Sequence, residues 1–266
     1  MQYGAMNFPV KPIADEIEAI AGLGFDYLEL AMDPPQAHYS LIRQHKSEIL
    51  RLLDFHSLGL ICHLPTFVYT ADLTESIRKA SVEEMLNSVE VAAELGAAKA
   101  VLHPSYVSGL GQFVKDMIRK YASESLERIV EKAEDEGICL CLENLFSKYD
   151  LLFEPDEFTT VFEQFPELGF TLDTGHAHID SKDGKRVIEF IEKFGNRLAH
   201  IHISDNSGKK DDHLPIGKGT VNFPEIVRSL KKAGYDDTVT LEIFTDDRYD
   251  IKRSRERFAA MLAEIG

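Results

Sequence analysis

Residues 137–144 read GICLCLEN and contain, in eight letters, the unit from which the chain is built. Gly137 closes the amphipathic stretch before it, as glycine often does after the last turn of a helix. The apolar run that follows is typical of a buried strand. Because side chains alternate between the two faces of a strand, Cys139, Cys141 and Glu143 share one face. The unit therefore predicts a helix end, a strand, and a carboxylate at the C-terminal end of that strand.

The same unit recurs along the chain. Glycine precedes an apolar run at six more positions: Gly24, Gly59, Gly96, Gly169, Gly195 and Gly234. With the opening residues MQYGAMNF as a first strand, eight strands alternate with eight helical regions. The clearest helical periodicity lies in residues 77–95, 113–134, 185–194, 223–232 and 252–265. This alternation favours an α/β fold with a parallel sheet, and eight units in 266 residues favour one (β/α)₈ barrel domain over residues 1–266.

Six of the predicted strands end in a residue that can bind a metal ion. They are His63, His103, Glu143, Asp173, His202 and Glu242, separated by 40, 40, 30, 29 and 40 residues. In a (β/α)₈ barrel the C-terminal ends of all strands meet at one face, where such enzymes keep their chemistry. A mixed set of carboxylates and imidazoles suits Mn²⁺, Zn²⁺, Co²⁺ or Mg²⁺. We expect the last four of these residues to form the core of a metal site on the interior face of the barrel.

Other residues are candidates for the surroundings of that site. The pattern Asp-x-x-His in DTGHAH places His176 beside Asp173. The segment KKDDHLPIGKG contains Asp211 and His213, and these two residues could equally lie in a solvated loop. Glu29, in the second strand, is either a substrate contact or part of a structural salt bridge. His178 is expected behind the site or in a loop. Lys209, Lys210 and Lys218 could hold a phosphate or be solvated, so the phosphorylation state of a substrate stays open.

Composition limits the classes of partner. The chain has 29 Lys and Arg against 45 Asp and Glu, a formal charge of −16, which disfavours binding to nucleic acid or to anionic membranes. No apolar run approaches the roughly 18 residues of a membrane span, and the opening residues lack a secretory-signal pattern. Three cysteines are typical of a reducing compartment, so a cytoplasmic protein is expected. The sequence leaves the oligomeric state open, a homo-oligomer included.

Three segments carry a resemblance to a known family. LDTGHAH (172–178), HIHISDNSGKKDDHLPIGKGTVNF (200–223) and LEIF (241–244) are similar to the xylose isomerase-like TIM-barrel superfamily, which joins sugar and sugar-phosphate isomerases and epimerases to endonuclease IV. In the epimerase branch the resemblance implies one metal on Glu143, Asp173, His202 and Glu242. It also implies a substrate contact by His176, and proton transfer by Glu143 and Glu242 through an enediolate. In the endonuclease IV branch it implies three zinc ions, with nine ligands: His63, His103, Glu143, Asp173, His176, His202, Asp211, His213 and Glu242.

Departures from the endonuclease IV pattern favour the epimerase branch. Where that branch has GAHVS this chain has QYGAMNF (2–8), and where it has a glycine-rich NTAGQG segment this chain has NLFSKYDLLF (144–153). We therefore expect a divalent-metal-dependent sugar or sugar-phosphate isomerase or epimerase that binds a small molecule. An abasic-site endonuclease is the alternative. A barrel without catalytic activity is disfavoured because the four core ligands are all present.

Overall fold

Eight parallel strands form a closed barrel in which each strand pairs with its neighbours in chain order and β1 pairs with β8. The structure is a computed structural model that describes residues 1–107, 109–149 and 151–265. The strands β1 to β8 are Gln2–Met6, Tyr27–Ala31, Gly59–His63, Lys99–Leu102, Cys139–Glu143, Gly169–Asp173, Leu198–Ile203 and Thr238–Leu241. This topology confirms the predicted (β/α)₈ barrel.

Nine α-helices accompany the strands within the described residues. The helices α1 to α9 are Ile13–Gly22, Tyr39–His56, Glu75–Glu94, Lys115–Glu136, Pro155–Gln164, Thr174–His178, Arg186–Phe194, Phe223–Ala233 and Tyr249–Glu264. The five helices expected from periodicity are present, with ends shifted by up to three residues. Residues 109–113 belong to a separate 3₁₀ turn that precedes α4. Gly137 and Gly234 end α4 and α8 in the left-handed conformation, at φ 68° and 71°.

One helix more than the eight predicted helical regions is present in the described part of the chain. It is α6, a short turn between β6 and α7. Asp173 ends β6 and caps this turn, because its Oδ1 accepts a hydrogen bond of 2.6 Å from the backbone N–H of His176. The turn keeps residues 174–177 buried at the mouth of the barrel. The cap therefore fixes where His176 stands relative to Asp173.

The apolar core lies between the outer face of the sheet and the surrounding helices. Phe158 of α5, Phe170 of β6 and Phe190 of α7 are fully buried, and their ring centroids lie 5.3–5.4 Å apart. Aromatic pairs at this spacing stabilise beyond the area that they bury, by about 0.5–1.5 kcal/mol each. This packing fixes α5 and α7 against β6. Within the described residues, no helix combines the length and apolar composition needed to cross a membrane.

The interior of the barrel is unusually polar. Barrel interiors are normally filled by branched apolar side chains, whereas Glu29, His200, His202 and Thr240 are fully buried here. The hydroxyl groups of Tyr27 and Thr240 are hydrogen-bonded at 2.9 Å, although the two residues lie 213 positions apart. The prediction that the polar series of the strands faces the barrel axis is confirmed by these contacts.

Candidate active site and metal centre

Four strands bring the predicted core ligands to one point. Glu143 and Asp173 are the last residues of β5 and β6, His202 lies near the end of β7, and Glu242 directly follows β8. Their ligand atoms all lie within 4.8 Å of one another. Glu143, Asp173 and His202 are fully buried, and the Glu242 side chain is 12% exposed. The structure therefore places the four side chains where a single ion could contact all of them.

Three buried atoms of this cluster lack a partner with hydrogen-bond geometry among the described residues: Oε1 of Glu143, Oδ2 of Asp173 and Nδ1 of His202. Two of them still have a polar neighbour, since Oε1 of Glu143 lies 3.1 Å from Nδ1 of His176 and Nδ1 of His202 lies 3.1 Å from Oε2 of Glu242. An unpaired buried polar group costs about 1–3 kcal/mol, and three carboxylates this close also repel one another. A divalent cation would satisfy the free atoms and remove the repulsion. Two carboxylate oxygens and an imidazole nitrogen are donors that Mn²⁺, Co²⁺ and Zn²⁺ accept, so the residues fit a metal ion.

The carboxyl groups of the cluster differ in acidity. Burial raises the pKa of Asp173 to about 7, and the charges of Glu143 and Glu242 add to this effect despite the opposing influence of His176. Burial also opposes ionisation of Glu143, but His103 and His202 outweigh it and hold its pKa well below the usual value. Near neutral pH the metal-free cluster therefore combines an ionised Glu143 with a partly protonated Asp173.

Two histidines approach Glu143 from the side of β3 and β4. Nε2 of His63 and Nε2 of His103 lie 3.4 Å and 3.1 Å from Oε2 of Glu143. Burial lowers the pKa of His63, yet Glu143 outweighs it and raises that pKa to about 9. Tyr106 in turn holds Nδ1 of His103 through its hydroxyl group at 3.1 Å. Both imidazoles thus border the cluster and could contact a substrate or another metal ion.

The loop after β7 closes the opposite side of the mouth. Oδ2 of Asp211 lies 3.2 Å from Nε2 of His176 and 3.0 Å from Nε2 of His213. Burial opposes ionisation of Asp211, but these two histidines hold its pKa well below the usual range. His213 also contacts the carbonyl oxygen of Glu242 through Nδ1, at 3.1 Å. Asp211 and His213 therefore lie beside the ligand cluster and are partly buried, unlike residues of a solvated loop.

Asp205, which the sequence did not single out, fixes the conformation of this loop. Its buried carboxylate accepts four backbone N–H groups at 2.8–3.1 Å, from Asn206, Gly217, Gly219 and Val221. A side chain at Gly219 would lie 2.3 Å from the carboxylate, so only glycine allows this approach. The spacing of Asp205, Gly217 and Gly219 in SDNSGKKDDHLPIGKG was the available signal. The loop therefore presents Asp211 and His213 from a fixed base.

The sequence predicts that Glu29 is either a substrate contact or part of a structural salt bridge. It is fully buried, and its two oxygens contact Nε2 of His200 at 3.0 Å and Nε2 of His202 at 2.9 Å. Both oxygens are therefore engaged below the ligand cluster, which supports the structural salt bridge. The role of Glu29 as a substrate contact stays a prediction. His200, on the same strand face as His202, is the second partner that the sequence did not identify.

Aromatic rings border the ligand histidines at the barrel mouth. Phe146 lies 5.2 Å from the ring of His176, and Phe244 lies 4.9 Å from the ring of His213. Tyr149 packs on Tyr106 at 4.5 Å. Rings in these positions limit access of water to the cluster and leave apolar surface beside it.

The remaining polar candidates lie outside the cluster. His178 is the last residue of α6 and not a loop residue, and it is hydrogen-bonded to Thr220 at 2.9 Å. Lys209, Lys210 and Lys218 are exposed. Cys141 is buried as expected for packing, whereas Cys139 is exposed at the N-terminal end of β5. None of these positions is among the groups of metal-type side chains found in the described residues.

Comparison with known proteins gives a consistent group of similar chains. A family model described as a xylose isomerase-like TIM barrel matches residues 17–264. The uncharacterized protein MJ1311 of Methanocaldococcus jannaschii is 30% identical over 249 residues, covering 91% of this chain and 83% of that protein. Fructoselysine 3-epimerase of Escherichia coli O157:H7 is 23% identical and covers 95% of this chain and 94% of the enzyme. A crystal structure of a D-tagatose 3-epimerase-like protein superposes with a TM-score of 0.88 at 30% identity, covering 100% of this chain and 98% of the other.

Proposed function

The chain belongs to the family of xylose isomerase-like TIM barrels, and we propose that it is a divalent-metal-dependent sugar or sugar-phosphate isomerase or epimerase. The observation that carries the proposal is the set of unpartnered buried ligand atoms on Glu143, Asp173 and His202, beside Glu242. Similarity to a fructoselysine 3-epimerase and to a D-tagatose 3-epimerase-like protein supports a sugar as substrate.

In the proposed reaction the two glutamates would exchange protons with a substrate from different sides. Glu143 and Glu242 end β5 and β8, with β6 and β7 between them. When bound by Glu143, Asp173, His202 and Glu242, a divalent cation supplies Lewis-acid polarisation of a carbonyl group. One glutamate would remove the proton from the carbon beside the carbonyl to give an enediolate. The other would return a proton to the opposite face, which inverts that carbon.

The groups around the cluster would orient the sugar and exclude water. His176 and His103 border the mouth, and a sugar hydroxyl group would compete with Asp211 for Nε2 of His176 and with Glu143 for Nε2 of His103. His176 is kept in place by Asn144 and by the cap of α6. Phe146 and Phe244 close the edges of the same opening. A site shielded from water strengthens the electrostatic interactions on which proton abstraction depends.

One observation favours a second candidate, a trinuclear-zinc phosphodiesterase of the endonuclease IV type. His176, Asp211 and His213 converge within 3.2 Å at Oδ2 of Asp211, while His63 and His103 converge on Oε2 of Glu143. These two groups could hold two further zinc ions, which together would activate water for phosphodiester cleavage. The negative formal charge of the chain opposes this candidate.

Metal content and a substrate screen separate the two candidates. The purified protein would be analysed for bound metal, and the EDTA-treated protein would be reloaded with Mn²⁺, Co²⁺, Zn²⁺ or Mg²⁺ before incubation with free and phosphorylated ketoses. We expect close to one metal ion per chain, conversion of a ketose, and loss of conversion in Glu143→Gln but not in the control Glu163→Gln, whose side chain is exposed. Three tightly held zinc ions with cleavage of abasic-site DNA would contradict the proposal.

A further inference from the structure

A column of hydrogen-bonded side chains runs from the ligand cluster to the other end of the barrel. Nε2 of His202 lies 2.9 Å from Oε1 of Glu29, and Oε2 of Glu29 lies 3.0 Å from Nε2 of His200. Nδ1 of His200 lies 2.8 Å from the hydroxyl oxygen of Thr238, and Nζ of Lys99 donates to that oxygen at 2.8 Å. Lys99 is the first residue of β4, so the column spans the barrel from mouth to base.

Lys99 indicates which group donates and which accepts in each hydrogen bond of this column. An ammonium group only donates hydrogen bonds, and that of Lys99 contacts Ala199 O at 2.5 Å, Thr238 Oγ1 at 2.8 Å and Asp237 Oδ1 at 2.8 Å. Thr238 accepts from Lys99 and has one proton to donate. Its two candidate acceptors are Nδ1 of His200 at 2.8 Å and the carbonyl oxygen of Ala199 at 3.4 Å, and the shorter distance assigns the proton to the hydrogen bond with His200.

The protonation of both histidines follows from these assignments. His200 accepts at Nδ1 and must therefore donate from Nε2 to Glu29. The carboxylate of Glu29 is acceptor-only, so His202 donates from Nε2 to its second oxygen. The one ring nitrogen left over is Nδ1 of His202, which lacks a partner and lies 3.1 Å from Oε2 of Glu242 and 3.5 Å from Oε2 of Glu143.

We propose that Lys99, Thr238, His200 and Glu29 are positioning residues that hold His202 with its proton on Nε2 and thereby present Nδ1 to a divalent metal ion. The inference rests on the proposed function, since it concerns the metal of that site. Burying a carboxylate and two imidazoles is often less stabilising than apolar packing at the same place, so fold stability alone is a poor reason for the column. A metal-binding histidine held in this way by a carboxylate typically gains 10–100-fold in affinity.

Thr238 allows a matched test because valine has its shape and serine has its hydroxyl group. Co²⁺ titrations followed by visible absorbance would be run on the wild type, Glu29→Gln, Thr238→Val and Thr238→Ser, each checked for folding by circular dichroism. We expect Glu29→Gln to bind Co²⁺ about 10–100-fold more weakly, Thr238→Val to bind several-fold more weakly with an altered Co²⁺ spectrum, and Thr238→Ser to match the wild type. Wild-type affinity and an unchanged spectrum in both Glu29→Gln and Thr238→Val would overturn the inference.

A second measurement tests the column without any metal. In the metal-free protein labelled with ¹⁵N-histidine, we expect His200 to show a proton on Nε2 and none on Nδ1, and this pattern to be lost in Thr238→Val. The opposite tautomer of His200 would overturn the inference. A wild-type protein that binds no divalent metal but shows the expected tautomer would instead overturn the proposed function, so the two failures are distinguishable.

Discussion

Replacing Asp205 by Asn should loosen the loop that carries Asp211 and His213. In the structure each oxygen of the Asp205 carboxylate accepts two backbone N–H groups: Asn206 and Val221 on Oδ1, Gly217 and Gly219 on Oδ2. An asparagine side chain keeps one acceptor oxygen and turns the other into an NH₂ donor. Two N–H groups would then face a donor on a fully buried side chain.

The expected loss of stability follows from these two bonds. Hydrogen bonds to a charged group contribute about 1.5–3 kcal/mol each, so losing two predicts a loss of about 3–6 kcal/mol in the free energy of unfolding if the loop stays docked. At about 2–4 °C per kcal/mol for a chain of this size, the melting temperature should fall by roughly 6–24 °C. If the loop opens instead, the loss appears locally, as faster exchange of the Gly217, Gly219 and Val221 amides.

The assay combines urea unfolding with amide hydrogen exchange on Asp205→Asn and on the control Asp212→Asn. Asp212 lies in the same loop but makes only a 3.5 Å contact with Ser207 among its described hydrogen bonds, so its replacement should change stability by less than about 0.5 kcal/mol. A loss below about 1 kcal/mol in Asp205→Asn, together with unchanged amide exchange, would refute the assigned role of this carboxylate.

Three further predictions concern the site directly. Glu143→Gln and Glu242→Gln should each lower the rate of ketose conversion by about 10²–10⁴-fold, measured as initial rates, because each removes a proton-transfer group; an unchanged rate in either variant would exclude that residue as acid or base. Metal affinity should fall as the pH drops through about 7, because Asp173, whose pKa burial raises to about 7, binds protons that the metal must displace. Titration calorimetry in two buffers of different ionisation enthalpy would detect the released protons, and a pH-independent affinity would contradict this. Gly219→Ala should lower the free energy of unfolding by about 1–3 kcal/mol, because the new methyl group would overpack against Asp205. Gly22→Ala has open space around it and should raise the free energy of unfolding by about 0.5–1 kcal/mol in the same urea assay. Equal effects of the two substitutions would contradict the packing argument.

The barrel and the positions of its strand-end residues could be predicted from the sequence because both follow from local periods. A strand alternates its faces every residue, and a βα unit repeats about every 30–40 residues, so Glu143, Asp173 and His202 had to reach one face once the barrel closed. The short helix α6 could not be predicted in this way. It depends on the cap that Asp173 provides to a single helical turn. A single turn is too short to show the repeating apolar pattern from which a helix is predicted.

Contacts between segments that are distant in the chain could not be predicted from the sequence. From the sequence, Glu29 could be a substrate contact or an ion-pair residue. The ion pair is favoured by the positions of His200 and His202, which lie 171 and 173 residues away in the chain. The loop from 207 to 221 reads as polar and solvated until the four N–H groups on Asp205 are seen. Its histidine and aspartate reach the site because of that anchor, which no local pattern expresses.

Exchange of solvent deuterium would show whether the protein removes a proton beside the carbonyl group of a ketose. A panel of free and phosphorylated ketoses would be incubated in D₂O with the metal-reloaded protein, and deuterium at the carbon beside the carbonyl would be followed by NMR. We expect at least one ketose to gain deuterium at that carbon, EDTA to stop the exchange, and Glu143→Gln to abolish it. Absence of deuterium from every ketose with Mn²⁺, Co²⁺, Zn²⁺ and Mg²⁺, or conversion of a ketose without any uptake of deuterium, would contradict this expectation.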